Sequence, residues 1–250
     1  MFILEKKKHG TAFRTIWYAK QPLKKAGINR YRYAEFHPQK DYQVMNTFVS
    51  DLTEADEDIV QRISKNGRYE IRRAVKEGVT CEYKVGSEIT NQDIEEFAQF
   101  FSDFWKSKGI ENHNKEGYIE EIKEYVSKEA FAISVAKMGD KILIYHTYIV
   151  GEEFARLYQS ASQFRVDESI PPVIVAMANR LLHKEDMLFF KRLGKTFYDW
   201  GGAGQGADVA SVTHFKKSFG GTPKEIYDFE EVIGIKAKVV KAVIKLLERY

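Results

Sequence analysis

Cysteine is almost absent from this chain, which limits both its cross-links and its redox chemistry. Cys81 is the only cysteine among 250 residues, so an intramolecular disulfide is excluded and we expect a reducing, cytoplasmic setting. Long apolar runs are also missing, since none approaches the ~18 residues of a membrane-spanning helix. The opening residues MFILEKKKHG hold too short an apolar stretch for a secretory signal peptide.

Several catalytic signatures are missing too. There is no G-x-S-x-G nucleophile motif, and the six histidines show no metal-ligand spacing. The formal net charge of +3 is too small to indicate a strongly basic nucleic-acid-binding surface. With 44% hydrophobic and 30% charged residues, the composition is that of an ordinary globular protein.

Strand and helix patterns alternate in the first third of the chain. A helix is predicted from Thr53 to the pair Asn66-Gly67, and a second short helix ends at Gly78. Runs rich in aromatic and β-branched residues predict strands in TAFRTIWYAK, YQVMNTFVSDL and VTCEYKV. The segment INRYRYAEFHPQK has no clear period and is either a strand or a loop.

From Ser87 onward the pattern is clearer. Thr90 and Asp93 form a capping box, and Gly109 is the stop signal of the helix that they begin. A second helix around GYIEEIKEYVSK precedes three strands joined by short turns, AFAISVAK, KILIYHTYIV and EFARLYQSA. A long helix from Pro172 to Gly194, the strand TFYDWGG, a short helix, the strand PKEIYDFEEVIG and a last helix follow. This order predicts a mixed, mostly antiparallel sheet with helices on its faces.

Glycines cluster in the segment YDWGGAGQGADVASVTHFKKSFGG, residues 198–221. One interpretation is a dinucleotide-binding turn, because Gly202, Gly204 and Ala207 fit G-x-G-x-x-A and Asp228 lies about 20 residues further on. The context disfavours it. Only one further strand follows, and that strand is half charged, whereas such a turn should open a parallel sheet of apolar strands.

The other interpretation rests on the order of several motifs. RYEIRRAVKEGV, YDWGGAG and FKKSFGGTPKEIYDF, with the strand, loop and long helix between them, resemble the Fem-like branch of the GNAT acyltransferase superfamily. The resemblance covers about residues 48–234. It implies an α/β (α+β) fold whose twisted sheet splays into a V where the donor enters. We expect a reduced N-terminal GNAT-like half (1–85) and a complete domain with a C-terminal amphipathic helix (86–250).

The resemblance also implies roles for particular residues. Lys216 would place a positive charge beside the reacting carbonyl, with Asp199 as the second catalytic candidate, in the Tyr-Asp-x-Gly-Gly position. Phe215 is expected to point inward, Lys216 to reach the cleft edge, and Lys217 to be solvated. The candidates for substrate binding are Gly201, Gly202, Phe215, Tyr198, His146 and Arg165, although His146 fits a bonded core histidine better than a base.

The implied reaction is transfer of an acyl or aminoacyl group from a thioester or ester to an amine, which attacks directly. Family members add amino acids to peptidoglycan precursors, so the acceptor would be a small-molecule or peptide amine. No metal or tightly bound cofactor is expected. The loop SASQFRVDESIPPV has no glycine and two prolines at the helix start, which disfavours the diphosphate of acetyl-CoA. Aminoacyl-tRNA or an acyl carrier protein is therefore favoured over acyl-CoA as donor.

Two alternatives and one surface remain open. The chain could be a non-enzymatic GNAT-like module that binds an acyl carrier or RNA, or a dinucleotide-binding oxidoreductase. In the last helix the apolar side, formed by Val239, Val240, Val243, Leu246 and Leu247, is expected to dock onto the domain. Contact of that helix with a membrane surface is the minority alternative.

Overall fold

A computed structural model describes residues 1–39, 41–110, 114–163, 169–202 and 209–247. The chain divides into two compact units, one formed by Met1–Thr47 with Pro223–Tyr250 and the other by Phe48–Thr222. The strands are β1 (Phe2–Lys8), β2 (Thr11–Trp17), β3 (Gly27–Ala34), β4 (Tyr42–Asp51), β5 (Val79–Val85), β6 (Phe131–Met138), β7 (Lys141–Val150), β8 (Phe154–Ser162), β9 (Phe197–Gly202) and β10 (Thr222–Ile233). The α-helices are α1 (Asp56–Arg62), α2 (Lys65–Lys76), α3 (Asn91–Ser107), α4 (Lys115–Val126), α5 (Pro172–Arg192), α6 (Val209–Lys217) and α7 (Ile235–Leu247).

The larger unit is a mostly antiparallel sheet with helices on both faces. Its strand order is β4-β9-β8-β7-β6-β5. The pairs from β5 to β8 are antiparallel, and β8 pairs with β9 in parallel. Helix α5 packs on one face, where Tyr148, Leu182 and Trp200 belong to the main core. On the opposite face, Phe97 of α3 packs edge-on against Tyr145 of β7. The predicted fold class is confirmed.

In the smaller unit, β1 pairs with β2 in antiparallel fashion, β2 with β3 in parallel, and β10 with β3 in antiparallel fashion. Its core stacks Tyr31 on Phe229 at a centroid distance of 4.4 Å. Helix α7 contacts β2 and β3. The assignment of residues 1–85 and 86–250 to two copies of one fold stays a prediction, because compactness does not identify copies.

One helix boundary differs from the sequence prediction. The first helix ends at Arg62, and α2 begins at Lys65, so Asn66 and Gly67 lie inside a helix rather than after one. Ser64 decides the boundary, because its side chain accepts a hydrogen bond from Gly67 N and caps α2. The predicted capping box of Thr90 and Asp93 is confirmed.

The docking of α7 also differs from the prediction. Val239, Val243, Leu246 and Leu247 are exposed, and the side that faces the unit carries buried Ala237 with half-buried Val240 and Ile244. The helix is apolar around more than half of its circumference, whereas β2 and β3 cover only one side of it. Within the described ranges, no helix has the length and apolar character needed to cross a bilayer.

Candidate functional site

The regular pairing of strands β8 and β9 stops partway along both strands. Among the residues that the structure describes, their parallel ladder consists of the pairs Phe154–Phe197, Ala155–Tyr198 and Arg156–Asp199. Beyond these pairs, β8 runs on to Ser162 beside β7, and β9 runs on to Gly202. The regular pairing of the two strands therefore stops after Arg156 and Asp199, although Gly201 of β9 stays close to Leu157 O of β8. We call the point after Arg156 and Asp199, where this pairing stops, the splay of the sheet.

Gly201 turns the backbone at this splay. Its φ is +74°, a left-handed conformation that favours glycine, and a Cβ there would lie 3.2 Å from the carbonyl oxygen of Leu157. Asp199 is fully buried, and its Oδ1 accepts a hydrogen bond from Gly201 N at 2.6 Å. The carboxylate therefore holds the turn in place. Gly202, half-buried, follows directly.

Lys216 reaches this turn from α6. Its Nζ donates to Gly201 O at 2.7 Å and to Gly202 O at 2.8 Å, and it lies 5.9 Å from the ring centroid of Phe48. The side chain is buried, with 6% of the residue exposed. Burial lowers the pKa of Lys216 to about 8, the charge of Asp199 opposes this shift, and that of Arg156 adds to it.

The neighbours of Lys216 differ from the sequence prediction in one respect. Lys217 is exposed, as expected, but Phe215 is only half-buried and less enclosed than Lys216. Phe219, 1% exposed, is the inward anchor of this segment, and it packs against Trp200 and Phe215 at centroid distances of 5.1 Å. The chain continues past α6 into the sheet, and this places position 219 deeper than position 215.

Arg156 is a site residue that sequence reasoning missed. It is buried in β8, paired in register with Asp199, and its Nη1 donates to Leu157 O at 3.1 Å. An arginine in the middle of the apolar run FARLY was the available signal, because buried charges are nearly always paired or functional. Two cations, Arg156 and Lys216, thus flank one buried carboxylate at the splay.

Tyr198 and His146 lie on the other face of the sheet. Tyr198 is fully buried, and its hydroxyl lies 2.9 Å from both Tyr148 Oη and His183 Nδ1. Because adjacent residues of a strand point to opposite faces, Tyr198 faces α5 while Asp199 faces away from it. Neither Tyr198 nor His146 has exposed surface, and their roles in substrate binding stay predictions.

A buried polar network surrounds these two residues. Tyr148 Oη donates to Asp186 Oδ2 at 2.5 Å, and His146 Nδ1 lies 2.8 Å from the same oxygen. His146 Nε2 lies 3.0 Å from Asn179 Oδ1. Burial raises the pKa of Tyr148 and Tyr198, and the charge of Asp186 adds to both shifts. Burial lowers the pKa of His183 well below its ordinary value, helped by His146 and the cations Lys216 and Arg180.

The same network contains a group that could hold a metal. Among the residues that the structure describes, His146, His183 and Asp186 offer ligand atoms within 4.8 Å of one another. Three of the four ring nitrogens of the two histidines are already within hydrogen-bonding distance of side chains. Asp186 Oδ2 is likewise bonded, whereas its Oδ1 is buried without a hydrogen-bond partner among the described residues. Most ligand atoms of the cluster are therefore already engaged within the protein.

The remaining sequence candidates fall outside the described ranges. Arg165, proposed for substrate binding, is among them, as are Gly204 and Ala207 of the dinucleotide pattern. Of the described strand pairs from β5 to β9, three are antiparallel and only that of β8 with β9 is parallel. A dinucleotide turn of the G-x-G-x-x-A type belongs to a doubly wound parallel sheet. The fold therefore disfavours the oxidoreductase.

Comparison with known proteins shows which solved structures share this fold. No family model matches the chain, and no curated protein sequence is significantly similar to it. FemX is similar in structure, with a TM-score of 0.58 and 12% identity over 80% of this chain and 63% of the FemX chain. The chain thus spans less than two thirds of the length of FemX.

Two further solved structures share the fold. The C-terminal domain of a putative lysylphosphatidylglycerol synthetase from Agrobacterium fabrum has a TM-score of 0.51 and 14% identity over 88% of this chain and 73% of its own. L-PGS from Bacillus licheniformis has a TM-score of 0.51 and 13% identity over 89% of this chain and 74% of its own. The Fem-like fold that the sequence motifs indicated is confirmed at the level of structure.

Proposed function

We propose that this protein is an N-acyltransferase that moves an acyl or aminoacyl group from a thioester or ester donor to an amine. The observation that carries the proposal is the splay of β8 and β9, with the buried cations Lys216 and Arg156 at its origin. The fold shared with FemX, with the C-terminal domain of a putative lysylphosphatidylglycerol synthetase and with L-PGS supports it.

The chemistry needs a positive charge more than a nucleophile. The acceptor's amine attacks the carbonyl carbon of the donor, and a tetrahedral oxyanion forms. The C–S or C–O bond then breaks, and the proton lost by the amine ends on the departing thiol or hydroxyl group, so that an amide is formed. Two of the three N–H groups of Lys216 donate to glycine carbonyls, so the third is available for the oxyanion. A fixed donor aimed at an oxyanion contributes ~3–4 kcal/mol of transition-state stabilisation.

Asp199 has a supporting role in this proposal. Its carboxylate holds Gly201 N and raises the pKa of Lys216 against the effect of burial. The turn and the charge of the lysine therefore depend on the same side chain. Because Asp199 and Lys216 are both buried, the attraction between their charges is screened little by solvent and salt.

The N-terminus of α5 determines whether the diphosphate of a donor can be bound there. Pro171 is the N-cap residue without a side-chain cap, and Pro172 is the first helical residue, so neither supplies an N–H group. Helix N-termini bind diphosphates through such groups. We therefore propose an aminoacyl-tRNA or a carrier-bound acyl donor and a small-molecule or peptide amine acceptor, with acetyl-CoA binding weakly.

A donor panel tests the function. The purified chain is incubated with acyl-CoAs, acyl carrier proteins or charged tRNAs and a set of amines, and products are scored by mass, with Lys216→Met in parallel. We expect turnover with a carrier-bound or tRNA-bound donor and little with acetyl-CoA. Absence of turnover with every donor would favour the non-enzymatic binding module, and a co-purified nicotinamide or flavin would favour the oxidoreductase.

A further inference from the structure

Helix α7 exposes a continuous apolar stripe. Ile235, Val239, Val243, Leu246 and Leu247 form it, and their exposed fractions run from 49% at Val243 to 84% at Ile235. Steps of three and four residues keep these side chains on one side of the helix. Scattered exposed apolar residues are ordinary, whereas a stripe along a whole helix marks a surface that meets a partner.

The stripe is distinct from the side that α7 uses for docking. Buried Ala237 and half-buried Val240 and Ile244 face the smaller unit. At 100° per residue, Ala237 lies about 160° from Ile235 and Val239. Val240 lies only about 20° from Leu247, so the docked and exposed sides adjoin along one border and diverge elsewhere. Folding of the unit therefore leaves the stripe uncovered.

Lysines border the stripe. Residues 235–247 include Lys236, Lys238, Lys241 and Lys245 but no acidic residue. By the same 100° rule, Lys238 and Lys245 lie about 60–80° from Ile235, beside one border of the stripe. Lys236 falls between Val243 and Leu247, and Lys241 points away from the stripe. Lys236 Nζ lies next to Gly10, since a Cβ placed on that glycine would be 2.3 Å from it. The basic end of β1, with exposed Lys7 and Lys8, is therefore adjacent to the start of α7. The charge of Lys241 is neutralised by a salt bridge, since its Nζ lies 3.0 Å from Glu230 Oε1.

We infer that α7 lies on an anionic lipid bilayer, with the stripe inserted among the acyl chains near the headgroups and the lysines against the phosphates. An apolar side with flanking lysines is the arrangement of interfacial helices. A second copy of the chain fits less well. Two stripes packed about a two-fold axis would bring lysines together, and residues 235–247 carry no carboxylate to pair with them. The inference is independent of the proposed acyltransferase activity.

Co-sedimentation of the full chain with vesicles tests the apolar part. Vesicles of phosphatidylcholine with and without phosphatidylglycerol are compared at low and at physiological salt. We expect binding to the anionic vesicles that weakens with salt, and an affinity loss of ~10-fold or more for Val239→Ser with Leu246→Ser. The control pair Val75→Ser and Val173→Ser, of similar exposure on α2 and α5, should bind like wild type.

A charge exchange tests the electrostatic part. Lys238→Glu with Lys245→Glu should abolish the preference for anionic vesicles, whereas Lys65→Glu with Lys76→Glu, an equal charge change on α2, should leave it. Equal binding to neutral and anionic vesicles, or binding that survives both α7 double substitutions, would overturn the inference. So would a lack of vesicle binding by a chain that forms a dimer dissociated by Val239→Ser with Leu246→Ser.

Discussion

Lys216 is a buried ammonium group with two structural hydrogen bonds, and this changes what its removal should do. From the sequence, Lys216 was expected at a cleft edge, where a side chain has little effect on stability. In the structure its Nζ satisfies two carbonyl oxygens of the glycine turn. An unsatisfied buried carbonyl costs ~1–3 kcal/mol, so the residue is expected to contribute to both stability and activity.

We predict that Lys216→Met lowers kcat by ~10²–10³-fold and also lowers the melting temperature, since it removes the charge and both hydrogen bonds. Lys217→Met, at an exposed neighbour, should be nearly silent. Steady-state kinetics and thermal melts check both variants, with Ser50→Ala as a stability control that removes the buried bond from Trp200 Nε1. Equal kcat values in the Lys216 and Lys217 variants would contradict the assigned role.

The pH dependence of turnover gives a second test of the same residue. The pKa of Lys216 is lowered to about 8, so its charge is present below pH 8 and is lost as pH rises through that value. If the charge stabilises the oxyanion, kcat should show a falling limb near pH 8 that is missing in Lys216→Met. A wild-type limb that instead rises through pH 8, and disappears in the variant, would identify the neutral amine as a base.

At the scale of elements, the turn at Gly201 lies in β9 beside the splay. Gly201 and Gly194 make a matched pair, because their φ values are +74° and +75° but only Gly201 has atoms close to the position that a Cβ would take. Any difference between substitutions at the two positions therefore reports on the surroundings and not on backbone strain.

We predict that Gly201→Ala and Gly194→Ala each destabilise the protein by ~1 kcal/mol through the left-handed φ. Gly201→Ala should in addition lower kcat/KM, because its methyl group would lie 3.2 Å from Leu157 O at the splay. Denaturant unfolding and initial rates separate the two effects. If Gly201→Ala retains full activity at the stability of Gly194→Ala, the turn has no part in the site.

At the scale of the whole molecule, the buried network couples distant parts of the chain to pH. His183 of α5 bonds Tyr198 of β9, which bonds Tyr148 of β7. The pKa of His183 is lowered in the folded state, so the unfolded chain takes up a proton below about pH 6.5 that the folded chain does not bind. Stability contributed by neutral His183 is therefore present above that pH and is lost as pH falls.

We predict that the free energy of unfolding declines between pH 7 and pH 5, and that His183→Asn flattens this decline. Asparagine keeps a polar group toward Tyr198 but does not titrate, although it loses packing against Trp200 at every pH. Urea unfolding at a series of pH values measures the slope, with the exposed His214→Asn as control. An unchanged slope in His183→Asn would assign the acid sensitivity to other groups.

Several elements were predictable from local sequence, because local interactions decide them. The strand VTCEYKV corresponds to β5, and Thr90 with Asp93 forms the expected capping box. The left-handed turn at Gly201 also agrees with the glycine cluster. The predicted boundary between α1 and α2 was wrong. Asn66-Gly67 resembles a helix stop, whereas in the structure the side chain of Ser64 caps the next helix.

Sequence alone determined the class of fold, the glycine turn and the residues of the amphipathic last helix, since these follow from periodicity and residue type. Tertiary structure decided the rest. It brought Arg156 beside Asp199 and Lys216 to the glycine carbonyls, and it joined His146 to Asp186 across 40 residues of chain. It also left one apolar side of α7 uncovered. Periodicity shows that a helix has an apolar side, but only the packed chain shows which sides find a partner.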